Sequence, residues 1–223
     1  MNRLHSLTTK LAFLKGLKPS TRSQKRALRN LATQRHKRII VGSEGRSLEG
    51  WTATDIAVLD LTREETWLRF FQDSSVDAIL AEHVWEHLSP DEAVRSAAVC
   101  YRFLKPGGYL RVAVPDGLHP DPAYIDSVKP GGSGSGAWDH KVLYRYDSLR
   151  DIFANTGFII RLYEYFDENG NFHFEEWNTE DGMVVRSKRF DPRNAGGVLA
   201  YTSIVLDAVK PDHAGKDWIH PAG

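Results

Sequence analysis

The stretch that most constrains the fold of this chain is Val76 to Pro115, VDAILAEHVWEHLSPDEAVRSAAVCYRFLKPGGYLRVAVP. Its first apolar run, Val76 to Ala81, has the length of a buried strand rather than of a helix. Ser89, Pro90 and Asp91 form a helix start, which predicts a helix over Ala93 to Leu104. Lys105-Pro106-Gly107-Gly108 breaks that helix, and Tyr109 to Val114 is a second apolar run rich in β-branched residues. Strand, helix and strand in this order read as a β-α-β unit, the crossover that a parallel strand pair requires. Open α/β sheets bind ligands beyond the carboxyl ends of their strands, so the residues following each strand are the first place to look for chemistry.

Ile39 to Val41 is a short apolar strand running into Gly42-Ser43-Glu44-Gly45, a loop in which glycine lets backbone approach a ligand without an intervening Cβ. Asp55 ends the stretch T-A-T-D-I, where a carboxylate can accept hydrogen bonds from ribose hydroxyls. Only thirteen positions separate Gly42 from Asp55, so the first crossover is short. Glu82, His83, Glu86 and His87 follow the strand tip at Ala81 and form the densest group of titratable side chains in the chain. His83 and His87 are spaced i, i+4, but no third ligand is placed beside them, and no metal is expected.

In order, the strand, E-H-V-x-E-H, the helix, L-K-P-G-G, the next strand and P-D resemble the class I S-adenosylmethionine-dependent methyltransferases, in particular a branch of small bacterial predicted methyltransferases related to methyltransferase type 11. The likeness extends from about Arg38 to Pro211, taking in Gly50-Trp51, Asp60-Leu61, His140 to Leu149, Gly157-Phe158 and Ser203 to Pro211. It implies a Rossmann-like α/β fold with a mostly parallel seven-stranded sheet and helices on both faces. It implies S-adenosyl-L-methionine as cofactor, bound by Gly42, Ser43, Glu44, Gly45, Asp55, Asp60, Leu61, Glu82 and His83. Glu44 stands where the family commonly has a second glycine. Asp60 and Leu61 fall where the family flanks adenine, although Asp60, Thr62 and Glu65 also read as a helix start.

The formal net charge of zero hides a division that bears on partners. Eleven of the 29 Lys and Arg lie in residues 1–38 ahead of any acid, leaving 18 bases against 29 acids in the remainder. The chain therefore reads as a basic amphipathic arm, 1–37, on an acidic methyltransferase-like domain, 38–223. Leu4, Leu7, Leu11 and Leu14 predict a first amphipathic helix, and Ser20 or Thr21 caps a second through Leu31. The leucine face can brace the domain, or the arm can lie on an anionic membrane surface. Basic charge without interleaved aromatics is a poor nucleic-acid signature. No apolar run approaches the roughly 20 residues that span a bilayer, and the single cysteine, Cys100, sits in the apolar pattern of a helix as a buried thiol. A cytoplasmic protein, peripheral at most to the membrane, is expected.

After Pro115 and Asp116 the chain reads as irregular to Ala137, with the run Gly131-Gly132-Ser133-Gly134-Ser135-Gly136, as a lid or binding loop would. A helix capped by Asp147 or Ser148 and ended at Gly157 follows, then strand Phe158 to Phe166, a turn at Asp167 to Gly170, a return through Phe172 to Trp177, and a last strand over Ala200 to Val209. The charged loop Arg186 to Asn194 either binds an anionic acceptor or is solvated. Methyl transfer is an in-line displacement that needs positioning above all, and a base only when the acceptor is a hydroxyl. His140, in the family-like H-K-x-x-Y-x-Y-x-S-L segment, is the first candidate base, with His83 and Asp116 behind it; His140 as a loop anchor is the competing reading. The resemblance points to O-methylation of a small molecule or a cell-envelope glycan intermediate. The alternatives are a binding or scaffold protein of the same fold without the cofactor and a nucleic-acid methyltransferase.

Overall fold

The computed structural model describes residues 20–212. The first helix expected of the arm falls outside them. Within them one mixed sheet holds seven strands: β1 (Arg38–Val41), β2 (Thr52–Ala53), β3 (Val76–Glu82), β4 (Leu104–Pro115), β5 (Ile159–Phe166), β6 (Phe172–Phe174) and β7 (Ser203–Val209), in the order β2-β1-β3-β4-β7-β5-β6. β2, β1, β3 and β4 pair in parallel, with Ile39 beside Ile79 and Ile79 beside Leu110; β7 pairs antiparallel with both β4 and β5, and β6 with β5.

The helices are α1 (Thr21–Ala32), α2 (Glu64–Trp67), α3 (Pro90–Phe103), α4 (Pro122–Val128) and α5 (Tyr146–Thr156). α3 starts as its sequence dictates: Ser89 Oγ accepts from Glu92 N–H while the Glu92 carboxylate accepts from Ser89 N–H, with Pro90 in the first turn. α5 ends at Gly157, whose φ of 104° a residue with a Cβ rarely adopts. Ser20 caps α1.

The alternation of β1, β3, β4 and β7 sends Ile39, Val41, Ile79, Ala81, Leu110, Val112, Ile204 and Leu206 to one face, where they meet Leu28 and Leu31 of α1, Trp67 of α2, Ala93, Ala97, Cys100 and Phe103 of α3 and Leu149 and Phe153 of α5. The second half of the basic arm thus packs into the same core as the sheet. Ile40, Ala78, Leu80, Ala113 and Val205 face the other way and are covered by Leu48, Trp51, Trp177, Met183 and Val184. The expected two layers of helices are therefore replaced on this face by the irregular segment 175–202 and the short first crossover. Buried polar anchors explain how a segment with only two single 3-10 turns, at Thr179–Asp181 and Pro192–Asn194, stays down. Arg111 in β4 makes a two-pronged ion pair with Asp207 in β7 (2.8 and 2.9 Å) and donates to Asn178 O and Gly182 O; Glu164 accepts from Trp177 Nε1 and Lys188 N–H.

Two further expectations change. The stretch from Pro115 to Ala137 contains α4, since Asp121 caps a turn that Pro122 opens, and Tyr124 and Val128 pack with Tyr201. The hairpin return is short, ending at Phe174 rather than Trp177.

Candidate active site

The carboxyl ends of β1, β2 and β3 meet at the glycine loop. Gly42 has a φ of 60°, and a Cβ there would lie 2.7 Å from Val84 Cγ2, so loop and β3 tip approach as only glycine allows. Of the three non-glycine residues with positive φ among the described residues, Glu44 (48°) and His83 (56°) both sit here, which is where strained backbone tends to collect.

Asp55, expected to accept from ribose hydroxyls, is 2% exposed. Its Oδ1 accepts from Glu44 N–H (3.0 Å) and Ser43 Oγ (3.4 Å), and its Oδ2 from Gln24 Nε2 (3.0 Å). Asp55 N–H returns a bond to Gln24 Oε1 (3.0 Å), so the α1 carboxamide clamps it from two sides. Sequence reasoning missed Gln24, whose buried side chain is the polar exception on the inner face of α1. Asp60 Oδ1 accepts from both Thr62 N–H and Thr62 Oγ1 at 2.8 Å, a local turn ahead of α2 rather than the expected helix start, since Arg63 holds the cap position, and Leu61 is in the core. Glu82 is also committed: Arg186 N–H (2.9 Å) and Val185 N–H (3.2 Å) donate to it, and Arg46 pairs with it at 2.9 Å. The cleft lined by Gly42, Ser43, Arg46, Glu82 and Met183 holds about 10 Å3, room for about one water.

A much larger space lies beside it, a cavity of about 460 Å3 lined by Glu44 of the glycine loop, the imidazoles of His83, His87 and His140, Glu86, the Gly134 to Gly136 loop, Arg186, Arg193 and Tyr201. Its far wall is fixed by backbone: Lys141 N–H donates to Glu86 O at 2.7 Å, which brings His140 beside the turn Trp85–His87, and the rings of His87 and His140 meet edge to face with centroids 4.8 Å apart. The 175–202 segment supplies Arg186, Arg193 and Tyr201, with the Arg193 guanidinium 3.4 Å from the Tyr201 ring centre.

His83 Nε2 lies 3.0 Å from Ser203 Oγ, which itself donates to Arg186 O, so Nε2 carries the proton. Burial holds this imidazole well below its ordinary pKa, neutral. Glu86 Oε1 is 3.0 Å from His83 Nδ1, and burial raises the Glu86 carboxyl to about 8. Glu86 is 1% exposed and neither of its oxygens has another hydrogen-bond partner. Both nitrogens of His83 are thus engaged. His140 differs: Nδ1 lies 2.7 Å from Val128 O and must donate to it, which leaves the lone pair on Nε2, and burial lowers its pKa. Asp116 does not line this cavity. It is fully buried, its oxygens accept from Leu118 and Phe166 N–H, and burial raises it to about 6; it fastens β5 to the end of β4.

Residues 52–112 match the family described as a methyltransferase domain. No curated protein matches the chain by sequence. Solved structures similar to it include a SAM-dependent methyltransferase from Archaeoglobus fulgidus (16% identity over 86% of this chain and 95% of that one, TM-score 0.44) and an S-adenosylmethionine-dependent methyltransferase from Mesorhizobium loti (13% identity, 87% and 100%, TM-score 0.46). Phosphoethanolamine N-methyltransferase 2 of Haemonchus contortus, solved in complex with S-adenosyl-L-methionine, is another (12% identity, 89% and 54%, TM-score 0.42). The matched segment holds β2 through most of β4, the unit whose motif order the sequence already displayed, and over these residues the chain is similar to a methyltransferase domain.

Proposed function

We propose that the protein O-methylates a small hydroxylated acceptor, of sugar or envelope-glycan type, held in the 460 Å3 cavity. The observation that carries this reading is that the cavity joins Glu44 of the cofactor loop to an imidazole, His140, whose proton-accepting nitrogen is unspent. A histidine neutral at working pH is suited to accept the hydroxyl proton. Arg186 and Arg193 offer donors to an acceptor that also bears oxygens or negative charge. S-adenosyl-L-methionine supplies the methyl group as a sulfonium. The test is product formation with labelled cofactor against a panel of sugars and sugar phosphates: His140→Ala should lower turnover by about a hundredfold or more with an unchanged cofactor affinity, and equal turnover would remove the base assignment.

The residues at the nucleoside end do not fit that cofactor as they stand, because the Asp55 carboxylate is filled by Gln24, Ser43 and the Glu44 amide. Methyl transfer on this reading requires α1 to release Asp55. The same contact favours a second reading, a binding protein that keeps the fold with its nucleoside site closed. The two separate by calorimetry on the Gln24→Ala variant, where an enzyme gains cofactor affinity and a closed scaffold stays silent. On either reading the outward face of α1, with Arg22, Arg26 and Arg29 exposed opposite Leu28 and Leu31, is proposed to meet an anionic membrane surface from the cytoplasmic side.

A further inference from the structure

Glu86 is the polar group in the cavity that the proposed chemistry leaves unexplained. A fully buried carboxyl group with neither oxygen satisfied, apart from its approach to His83 Nδ1, demands a partner. It lines the cavity together with His87 and His140, and one donor atom from each of the three lies within 4.8 Å of the others. The sequence spacing had paired His83 with His87; the fold instead substitutes His140, carried in by the Lys141 to Glu86 backbone bond.

We propose that Glu86, His87 and His140 form a binding site for a divalent cation of the zinc class. Two imidazoles and one carboxylate are a donor set that suits zinc and its neighbours better than magnesium or calcium. Both imidazoles are already oriented as ligands are. His140 gives its Nδ1–H to Val128 O at 2.7 Å, and His87 Nδ1 lies 3.2 Å from Asp139 Oδ2, so each keeps Nε2 for coordination. A backbone carbonyl or carboxylate on the other ring nitrogen is the usual outer partner of a metal-binding histidine. Bonds of about 2.1 Å place tetrahedral ligand atoms about 3.4 Å apart, so the three side chains close by roughly an ångström on binding. Three protein ligands leave a coordination position open to the cavity, the arrangement of catalytic rather than structural sites.

The role of such a cation rests on the proposed function, whereas its binding does not. A cation held by Glu86, His87 and His140 would lower the pKa of an acceptor hydroxyl at the open position, so that its proton could pass to solvent at the cavity mouth near neutral pH. In the loaded protein the cation then takes over from His140 as the means of activating the acceptor, and Glu86 gains the partner it lacks.

The experiment is titration of the metal-free full-length protein with Zn2+ by calorimetry, with Co2+ visible spectroscopy to report ligand geometry. The wild type should bind with one-site stoichiometry and give Co2+ bands of a four- or five-coordinate site, and Zn2+ should raise its melting temperature. His140→Ala and His87→Ala should each weaken binding about tenfold or more, and His173→Ala, which alters an exposed histidine bonded to Asp167, should not. Glu86→Gln keeps the shape and removes the anionic ligand, and should also weaken binding if its far-ultraviolet dichroism matches wild type. Equal affinity in wild type, His140→Ala and His87→Ala, or no binding by wild type, overturns the site. Because neither readout uses S-adenosylmethionine, absence of methyl transfer would leave this result standing and would count against the proposed function alone.

Discussion

The two ends of the site differ in how their carboxylates are satisfied. Beside the glycine loop Asp55 accepts three hydrogen bonds from its own chain and is closed off by α1; in the cavity Glu86, equally buried, has almost nothing. A satisfied buried acid stabilises the loop and helix that surround it, whereas an unsatisfied one is retained at the expense of stability and marks where a ligand belongs. The difference teaches that Asp55, which the resemblance would give to a cofactor, acts first as a structural clamp, and that the unsatisfied carboxyl lies in the large cavity.

The largest expected effect tests the clamp. Asp55→Ala strands the Gln24 amide and the Glu44 N–H and should cost about 3 kcal/mol in denaturant unfolding; a loss under about 0.5 kcal/mol would show that the clamp contributes nothing and erase the contrast. Next in size is the pH dependence of Glu86. Its carboxyl is raised from 4.5 to about 8 by burial, so between those values the unfolded chain has released a proton that the folded one keeps, and stability falls as pH rises through that window. His83, held neutral by burial, works in the opposite sense: below its ordinary 6.5 the unfolded chain takes up a proton that the folded one refuses. In Glu86→Gln the alkaline decline should flatten while the acid-side loss persists, and an unchanged profile in thermal melts across pH 5 to 9 would contradict the assignment. The smallest effect concerns the outward face of α1. Reversing Arg22, Arg26 and Arg29 to Glu should abolish cosedimentation with anionic vesicles at low salt, with cofactor affinity unchanged; sedimentation equal to wild type would remove the membrane proposal.

The parts of this architecture that were legible in the sequence are those whose signals are local. The β3-α3-β4 unit followed from an apolar run, the helix start at Ser89-Pro90-Asp91 and Pro106-Gly107-Gly108, and the end of α5 from Gly157. Residues such as Gly42, Asp55 and Glu82 were found at strand ends because a parallel sheet puts them there. What was not legible depends on contacts between distant segments. Gln24 meets Asp55 from 31 residues away, and His87 reaches Asp139 across 52; neither spacing has a period. Asp116 reads as a candidate base from its place after β4, but only the fold shows its oxygens turned to Leu118 and Phe166 N–H. The covering of one sheet face by residues 175–202 was hidden for the same reason, since Arg111 and Glu164 hold it by buried bonds that no hydrophobic pattern announces.

The central claim, that this is an S-adenosylmethionine-dependent enzyme whose nucleoside site is guarded by α1, is tested most directly by calorimetric titration of the full chain with S-adenosylmethionine. Binding by wild type that strengthens about tenfold in Gln24→Ala, corresponding to one released hydrogen bond of about 1.4 kcal/mol, and disappears in Asp55→Ala is the expected result. No heat of binding from either wild type or Gln24→Ala, with both proteins folded, would contradict it.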